Sequence, residues 1–307
     1  MKTSQIRALQ FKQIGALAIA SIGLSIGLTI GLTSSAQAQS YSYDFEELTP
    51  GSISPTVDGN INAIGTNLQG NPYGWYGGNS SSTERVTVSG AMNSPWDVGG
   101  SQSAVMYTVS DGTEPTLYNY FTDRTGLANY SNPTSVNVDG SLGASLTGSG
   151  YSVSWDFYTD YLASQPLFEL RSSDANPVQA LSLDVRYDTK KLRYYNGSTA
   201  ILSENALLDD TWYRFEVVDI DVANGTYGFN LIEWDSINET ATVVASDSDL
   251  EFRNTVTDID YFRMKVNGGS SPTYYLDNFS IVPEAKSASL LFGLGACLAV
   301  AGLKRRR

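Results

Sequence analysis

The chain has 307 residues, with 32 acids against 19 bases, one cysteine and no histidine. Without histidine there is no Ser-His or Cys-His nucleophile pair, no imidazole base and no histidine-ligated transition metal, so any catalysis would rest on carboxylates, Tyr, Lys or Arg. Setting aside three bases before Gln39, and Glu284 with five bases after Val282, the 244 residues between carry 31 acids and 11 bases, a net charge of −20; a surface that acidic repels nucleic acid and anionic headgroups and favours divalent cations, neutral glycans or basic proteins.

The first element is a leader. Lys2, Arg7 and Lys12 precede an apolar run from Ile14 to Thr33 and a small-residue site at Ala36-Gln37-Ala38, the order of a secretory signal peptide. Residues 1–38 are therefore read as removed on export, and 39–282 as one working domain. The only cysteine, Cys297, falls after that domain, which is expected to have neither disulfide nor thiol chemistry. A domain of 244 residues buries roughly 70–75% of its unfolded surface and needs no such staple.

From there the chain reads as strand after strand. Tyr41–Glu46 opens it. Tyr73-Gly74-Trp75-Tyr76-Gly77-Gly78 then gathers three aromatics among glycines, and is read as an exposed loop in which Trp75, Tyr76 and Tyr73 stack on sugar faces. Strand candidates follow at Glu84–Val88 and Ala104–Val109; low-complexity stretches at 77–83 and 131–150 are read as loops inside the domain. Tyr151, Val153, Trp155 and Phe157 alternate with Ser152, Ser154, Asp156 and Tyr158, and Leu181, Leu183, Val185 and Tyr187 alternate with Ser182, Asp184 and Arg186, the period of half-buried strands. Asn196-Gly197 and Asn224-Gly225 supply the positive φ angles of tight hairpins. Trp155 and Trp212 are assigned to the core, while Tyr158, Tyr161, Tyr194 and Tyr195 are further candidates for a sugar-facing sheet.

Glu233-Trp234-Asp235 followed by Glu239 is similar to the paired-glutamate strand of lectin-fold endoglucanases, which would make Glu233, Asp235 and Glu239 the carboxylates of a retaining glycoside hydrolase. The second glutamate stands one residue too late for that pattern, and Asp235-Ser236-Ile237-Asn238 reads as a turn. Other acid pairs, such as Asp209-Asp210 and Asp219 with Asp221, lack the loop of an EF-hand. The last strand candidates are Ala241–Ala245, Ile259–Val266 and Tyr274–Val282. Many short strands with Gly, Asn and Ser punctuation predict an all-β chain, an antiparallel two-sheet β-sandwich of jelly-roll type.

Four segments carry a family likeness: Tyr43-Asp44-Phe45-Glu46 with Pro50-Gly51, Gly99-Gly100-Ser101-Gln102-Ser103, Thr211-Trp212-Tyr213-Arg214, and Tyr275-Leu276-Asp277-Asn278-Phe279-Ser280. Together the chain resembles exported proteins with a concanavalin-A-like or laminin-G-like lectin jelly roll. The resemblance implies a glycan-binding sandwich and, in many relatives, a structural calcium. Strand alternation groups Asp277 with Tyr275, Phe279 and Ile281, and a buried carboxylate needs a cation, an arginine or several N–H donors. By the same resemblance Glu46 and Asp277, on neighbouring first and last strands, would supply its hard oxygen ligands.

The chain ends on Pro283-Glu284-Ala285, an apolar stretch from Ser287 to Leu303, and Lys304-Arg305-Arg306-Arg307. Seventeen residues at helical rise cover about 25 Å, a short membrane span with a basic stop behind it. Residues 283–307 resemble the PEP-CTERM sorting tail of bacterial surface proteins, with Pro283, Glu284, Arg305, Arg306 and Arg307 at its marker positions and Ala285 where that family has a second proline. The resemblance implies export to the cell envelope or extracellular matrix and processing by an exosortase. The expected function is thus adhesion through an extracellular polysaccharide without catalysis, touching membrane only through the tail and no nucleic acid. A glycoside hydrolase and a ligand-free coat component are the alternatives.

Overall fold

The computed structural model describes residues 40–46, 51–52, 75–78, 86–97, 99–107, 115–122, 141–172, 178–267 and 272–284. The leader, Tyr73, and the apolar tail with Arg305, Arg306 and Arg307 lie outside the described residues. All regular structure among the described residues is strand: β1 (Tyr41–Tyr43), β2 (Gly51–Ser52), β3 (Trp75–Gly78), β4 (Val86–Ser89), β5 (Ser103–Tyr107), β6 (Thr116–Tyr120), β7 (Ser149–Thr159), β8 (Gln165–Ser172), β9 (Val178–Val185), β10 (Lys191–Asn196), β11 (Thr199–Ala206), β12 (Thr211–Asp221), β13 (Thr226–Asp235), β14 (Thr240–Glu251), β15 (Tyr261–Asn267) and β16 (Thr273–Pro283).

They form two antiparallel sheets. The larger has nine strands in the order β14-β13-β12-β7-β16-β5-β4-β2 with β1 added on β16; the smaller has seven in the order β11-β10-β9-β8-β15-β6-β3. The alternation in β7 is the one its sequence prescribes: Val153, Trp155 and Phe157 are buried in the interior, and Ser154, Asp156 and Tyr158 point away from it. Trp155 ties the two layers together. Its ring stacks on Phe215 of its own sheet at 5.4 Å and meets Phe168 and Phe262 of the other at 5.3 and 5.0 Å. Both expected hairpins form, with Gly197 at φ 57° and Gly225 at φ 67°.

Four strands escaped the sequence reading. β2 is only two residues long, β6 is buried along its whole length and so shows no alternation, β8 carries Pro166 near its start, and β3 is half glycine. A further difference is one of phase. β16 has a bulge between Asp277 and Ser280, with Asn278 at φ 47°, so Tyr274 and Leu276 face the core before it and Phe279 and Ile281 after it. Asp277 is therefore not on the face of Phe279 and Ile281, as unbroken alternation had required. It stands on the outer face, opposite Asp156.

Candidate functional site

The outward positions of the larger sheet build the site. Register sets Tyr275 of β16, Tyr158 of β7 and Trp212 of β12 abreast on one rung, with ring centroids 5.6 and 5.4 Å apart. Trp212 is 7% exposed but lies outside the sandwich core to which its sequence had assigned it; it packs on the outer face. Tyr158 and Tyr275 are half-buried. The Tyr158 hydroxyl donates to Asp210 Oδ1 at 3.2 Å, and burial, reinforced by that carboxylate, pushes the phenol up to about 12.

The next rung is charged. Asp277, Asp156 and Arg214 stand side by side. Arg214 forks onto Asp156, Nε to Oδ1 at 2.6 Å and Nη2 to Oδ2 at 2.9 Å, and the Asn278 amide and Ser94 hydroxyl donate to Oδ2 at 2.7 and 2.5 Å. Residues 92–97 cross this rung as a strap. Trp96 lies over the Arg214 guanidinium at 4.9 Å and meets Trp234 of β13 edge-on at 5.5 Å. Aromatic surface thus flanks a fixed guanidinium, the combination that holds a sugar by stacking and by hydrogen bonds to its hydroxyls.

Asp277 is 0% exposed, and its donors are Ser94 N at 3.1 Å and Asn278 N at 2.8 Å. Burial pushes its carboxyl up to about 8; Asp156 and Asp97 add to the rise, and the two N–H groups oppose it. A carboxyl raised in the fold contributes stability that is complete below its ordinary value of 3.8 and is lost as pH rises through about 8. Asp277→Asn is therefore expected to gain stability relative to the native chain as pH climbs across that window. Urea titrations of both proteins at several pH values check this; a difference that stays constant with pH contradicts it.

The sequence-named residues fare differently. Trp75 is not in an exposed loop. It pairs with Asn119 through β3 and is 0% exposed, ringed by Phe45 at 5.0 Å, Phe279 at 5.1 Å and Tyr43 at 6.2 Å, with its indole N–H on the Tyr41 hydroxyl at 3.0 Å. Tyr76 occupies the next position of that strand, opposite Tyr118. A strand through the glycine-rich segment turns Trp75 inward, so it cannot stack on a ligand. Tyr158, Tyr161, Tyr194 and Tyr195 do not share a face either: Tyr194 joins the core, Tyr161 is exposed, and Tyr195 belongs to the other sheet.

Glu233 and Asp235 lie on β13 and Glu239 in the turn after it. Glu233 accepts from the Tyr213 hydroxyl at 3.0 Å, Asp235 caps a turn through Ile237 N and Asn238 N, and Glu239 sits in that turn at φ 52°.

Glu46, like Asp277, is held by N–H donors. Ser101 N and Gln102 N donate to Glu46 Oε1 at 2.5 and 2.6 Å, and Ser101 Oγ donates to Oε2 at 2.9 Å. Burial would raise Glu46, but those donors outweigh it and hold the carboxyl below its usual range. Among the described residues no three Asp, Glu, His or Cys side chains are grouped to hold a metal. Asn93 Oδ1 and Asp97 Oδ2 of the strap, and Gln102 Oε1 just before β5, are buried without a hydrogen-bond partner. Burial, with Asp44 and Glu46 nearby, raises the Asp97 carboxyl. A hard cation fits such a donor set of amide and carboxylate oxygens.

Of the tail, Pro283 closes β16, and Glu284 donates its N–H to Gly150 O at 2.8 Å and accepts from Ser152 Oγ at 2.6 Å.

No protein-family model matches the chain, and no curated protein matches it in sequence. Among solved structures it is similar to an alginate lyase from the marine Aplysia kurodai, 13% identical over 81% of this chain and 100% of that one, TM-score 0.45. It is similar to the lectin UEA-II in complex with galactose, 9% identical over 81% and 100%, TM-score 0.41. An endo-β-1,4-glucuronan lyase from the fungus Trichoderma reesei is 9% identical over 65% and 87%, TM-score 0.44.

Proposed function

We propose that the domain is a non-catalytic carbohydrate-binding module of a lectin-like jelly roll, carried on an exported bacterial surface protein, and that it takes a neutral polysaccharide on the outer face of the larger sheet. The observation that carries this reading is the aromatic rung of Tyr275, Tyr158 and Trp212 beside Arg214. Adjacent strands lie about 4.8 Å apart, so three of them present rings over about 10 Å, the length of a disaccharide. The two carboxylates behind the rung are buried and held by donors, which supports binding over bond cleavage. Losing one stacked ring costs about 1–3 kcal/mol, by analogy with stacked bases. Tyr158→Ala and Tyr275→Ala are each expected to weaken binding to neutral glycans roughly tenfold or more with little change in melting temperature. Calorimetric titration checks this, and unchanged affinity in folded variants contradicts it.

Calcium belongs to the same reading. Asp97, Asn93 and Gln102 would hold it, next to Glu46 and Asp277, and the bound ion would neutralise the acids and fix the strap that carries Trp96.

Export and membrane retention rest on the leader, the apolar tail and the basic end. An exosortase is the partner this order of signals implies. Replacing Arg305, Arg306 and Arg307 with Glu is expected to release more protein from the membrane fraction; unchanged retention on fractionation counts against the tail as a stop-transfer element.

A further inference from the structure

We infer that the open edge of β14 takes up an extended basic peptide of a partner protein, which adds a strand to the larger sheet and lays its apolar side chains over the cavity between the two sheets. This goes beyond the neutral-glycan reading and does not rest on it, since the edge lies outside the aromatic rung. β14 ends the larger sheet: among the described residues, β13 is the only strand that pairs with it. Its other side is tied at one end, where Gly197 N donates to Glu251 O and Glu251 N to Asn196 Oδ1, both at 3.0 Å. Upstream, residues 240–246 carry no charge, proline or glycine, and Thr240, Thr242, Val243 and Val244 are β-branched. Native edges are guarded by lysine, proline or a bulge. Here the guard is one bulge at Val244, which is left unmatched because Leu231 pairs with Ala245 and Ile232 with Val243. Residues 240–243 keep regular register with 232–235. Such an edge is a template for a further strand.

The edge borders a cavity. About 490 Å³ lies between β14 and β11, the edge strand of the smaller sheet, lined by Val243, Val244, Ala245, Leu202, Tyr194 and Phe229. Tyr194 and Phe229, with ring centroids 4.7 Å apart, belong to the core, while Leu202 and Val243 are 48% and 54% exposed. A strand added to β14 turns every second side chain toward the smaller sheet, so apolar residues at those positions cover these groups. The backbone ladder supplies affinity and the cavity supplies selectivity. A glycan has no alternating N–H and C=O groups to offer such an edge. Charge defines the ends of the peptide. β11, β13 and β14 carry Glu204, Glu233, Asp235, Asp247, Asp249 and Glu251 and no lysine or arginine, and Glu239 stands in the turn before β14. Lysines or arginines flanking an apolar centre therefore meet acids at both ends of the uncharged run, Glu239 at one and Asp247 at the other. A second copy of this chain does not complement the edge. Antiparallel pairing symmetric about Val243 would set Glu239 opposite Asp247 twice, acid against acid.

The test is fluorescence anisotropy of a labelled peptide, Lys-Lys-Thr-Val-Leu-Val-Thr-Lys-Lys, with the full-length protein in zwitterionic detergent. Two relatives of the peptide are compared, one with glutamates in place of its lysines and one N-methylated at its central amides. The parent peptide is expected to bind, more weakly as salt rises from about 0.05 to about 0.5 M. The glutamate peptide is expected not to bind, and the methylated one, which keeps the charges but loses its ladder donors, to bind roughly tenfold more weakly. Val243→Lys places a guarding charge on the edge and is expected to weaken binding of the parent peptide roughly tenfold at an unchanged melting temperature. Val282→Lys, the same change at an exposed position of β16, is expected to bind like the native chain. No binding by the parent peptide, equal binding by either relative, or equal effects of the two lysine variants overturns the proposal. A dimer in sedimentation that Val243→Lys dissolves assigns the edge to a second copy and overturns it too.

Discussion

Trp75→Ala is expected to cost about 3–5 kcal/mol of folding stability, the range for removing a large aromatic from a closed core. Trp75 joins both ends of the domain. It packs on Tyr43 and Phe45 of the opening segment, on Phe279 of the last strand across the sandwich, and on Phe262 of its own sheet. Its loss opens a cavity among rings that cannot all collapse inward, and it removes the N–H that the Tyr41 hydroxyl accepts. A typical domain has only about 5–15 kcal/mol to lose, so the variant should melt far below the native chain or fail to fold. Urea denaturation of both proteins measures this. A difference under about 1 kcal/mol would mean that the indole is not enclosed as described.

Calcium at about a hundredfold over its dissociation constant is expected to add about 2.7 kcal/mol, provided the unfolded chain does not bind it. For a domain of this size that is a rise of about 5–10 °C in melting temperature. The expectation rests on three buried oxygens without donors, those of Asn93 and Asp97 in the strap and of Gln102 before β5, with Asp44 and Glu46 near Asp97. Asp97→Asn should abolish the shift, because it removes the charge while keeping the shape. Identical melts in chelator and in millimolar calcium remove the ion from the account, and leave the strap held by its hydrogen bonds to Asp156 and Asp277 and by Trp96 on Arg214.

How much of this could be read from sequence depended on burial asymmetry. β7 was legible because one of its faces meets the core and the other does not. β6 was not, since a strand buried on both faces leaves no period. The string around Trp75 misled for the opposite reason: glycines next to aromatics look like a loop, and only pairing with β6 makes them a strand. Asp277 was correctly singled out as a buried acid, but one bulged residue moved it to the outer face. Tyr158 was named as a sugar-facing candidate. Its rung-mates Tyr275 and Trp212 come from strands far apart in the chain, and only the β16-β7-β12 register sets them beside it.

The central claim is that a sugar lies across the aromatic rung of the larger sheet. The most direct measurement is a crystal structure of the protein with a bound neutral oligosaccharide, chosen by screening for the tightest binder. The account predicts sugar rings against Tyr275, Tyr158 and Trp212, with hydroxyls within hydrogen-bond reach of Arg214. Sugar bound elsewhere on the sandwich, with that rung bare, would contradict it.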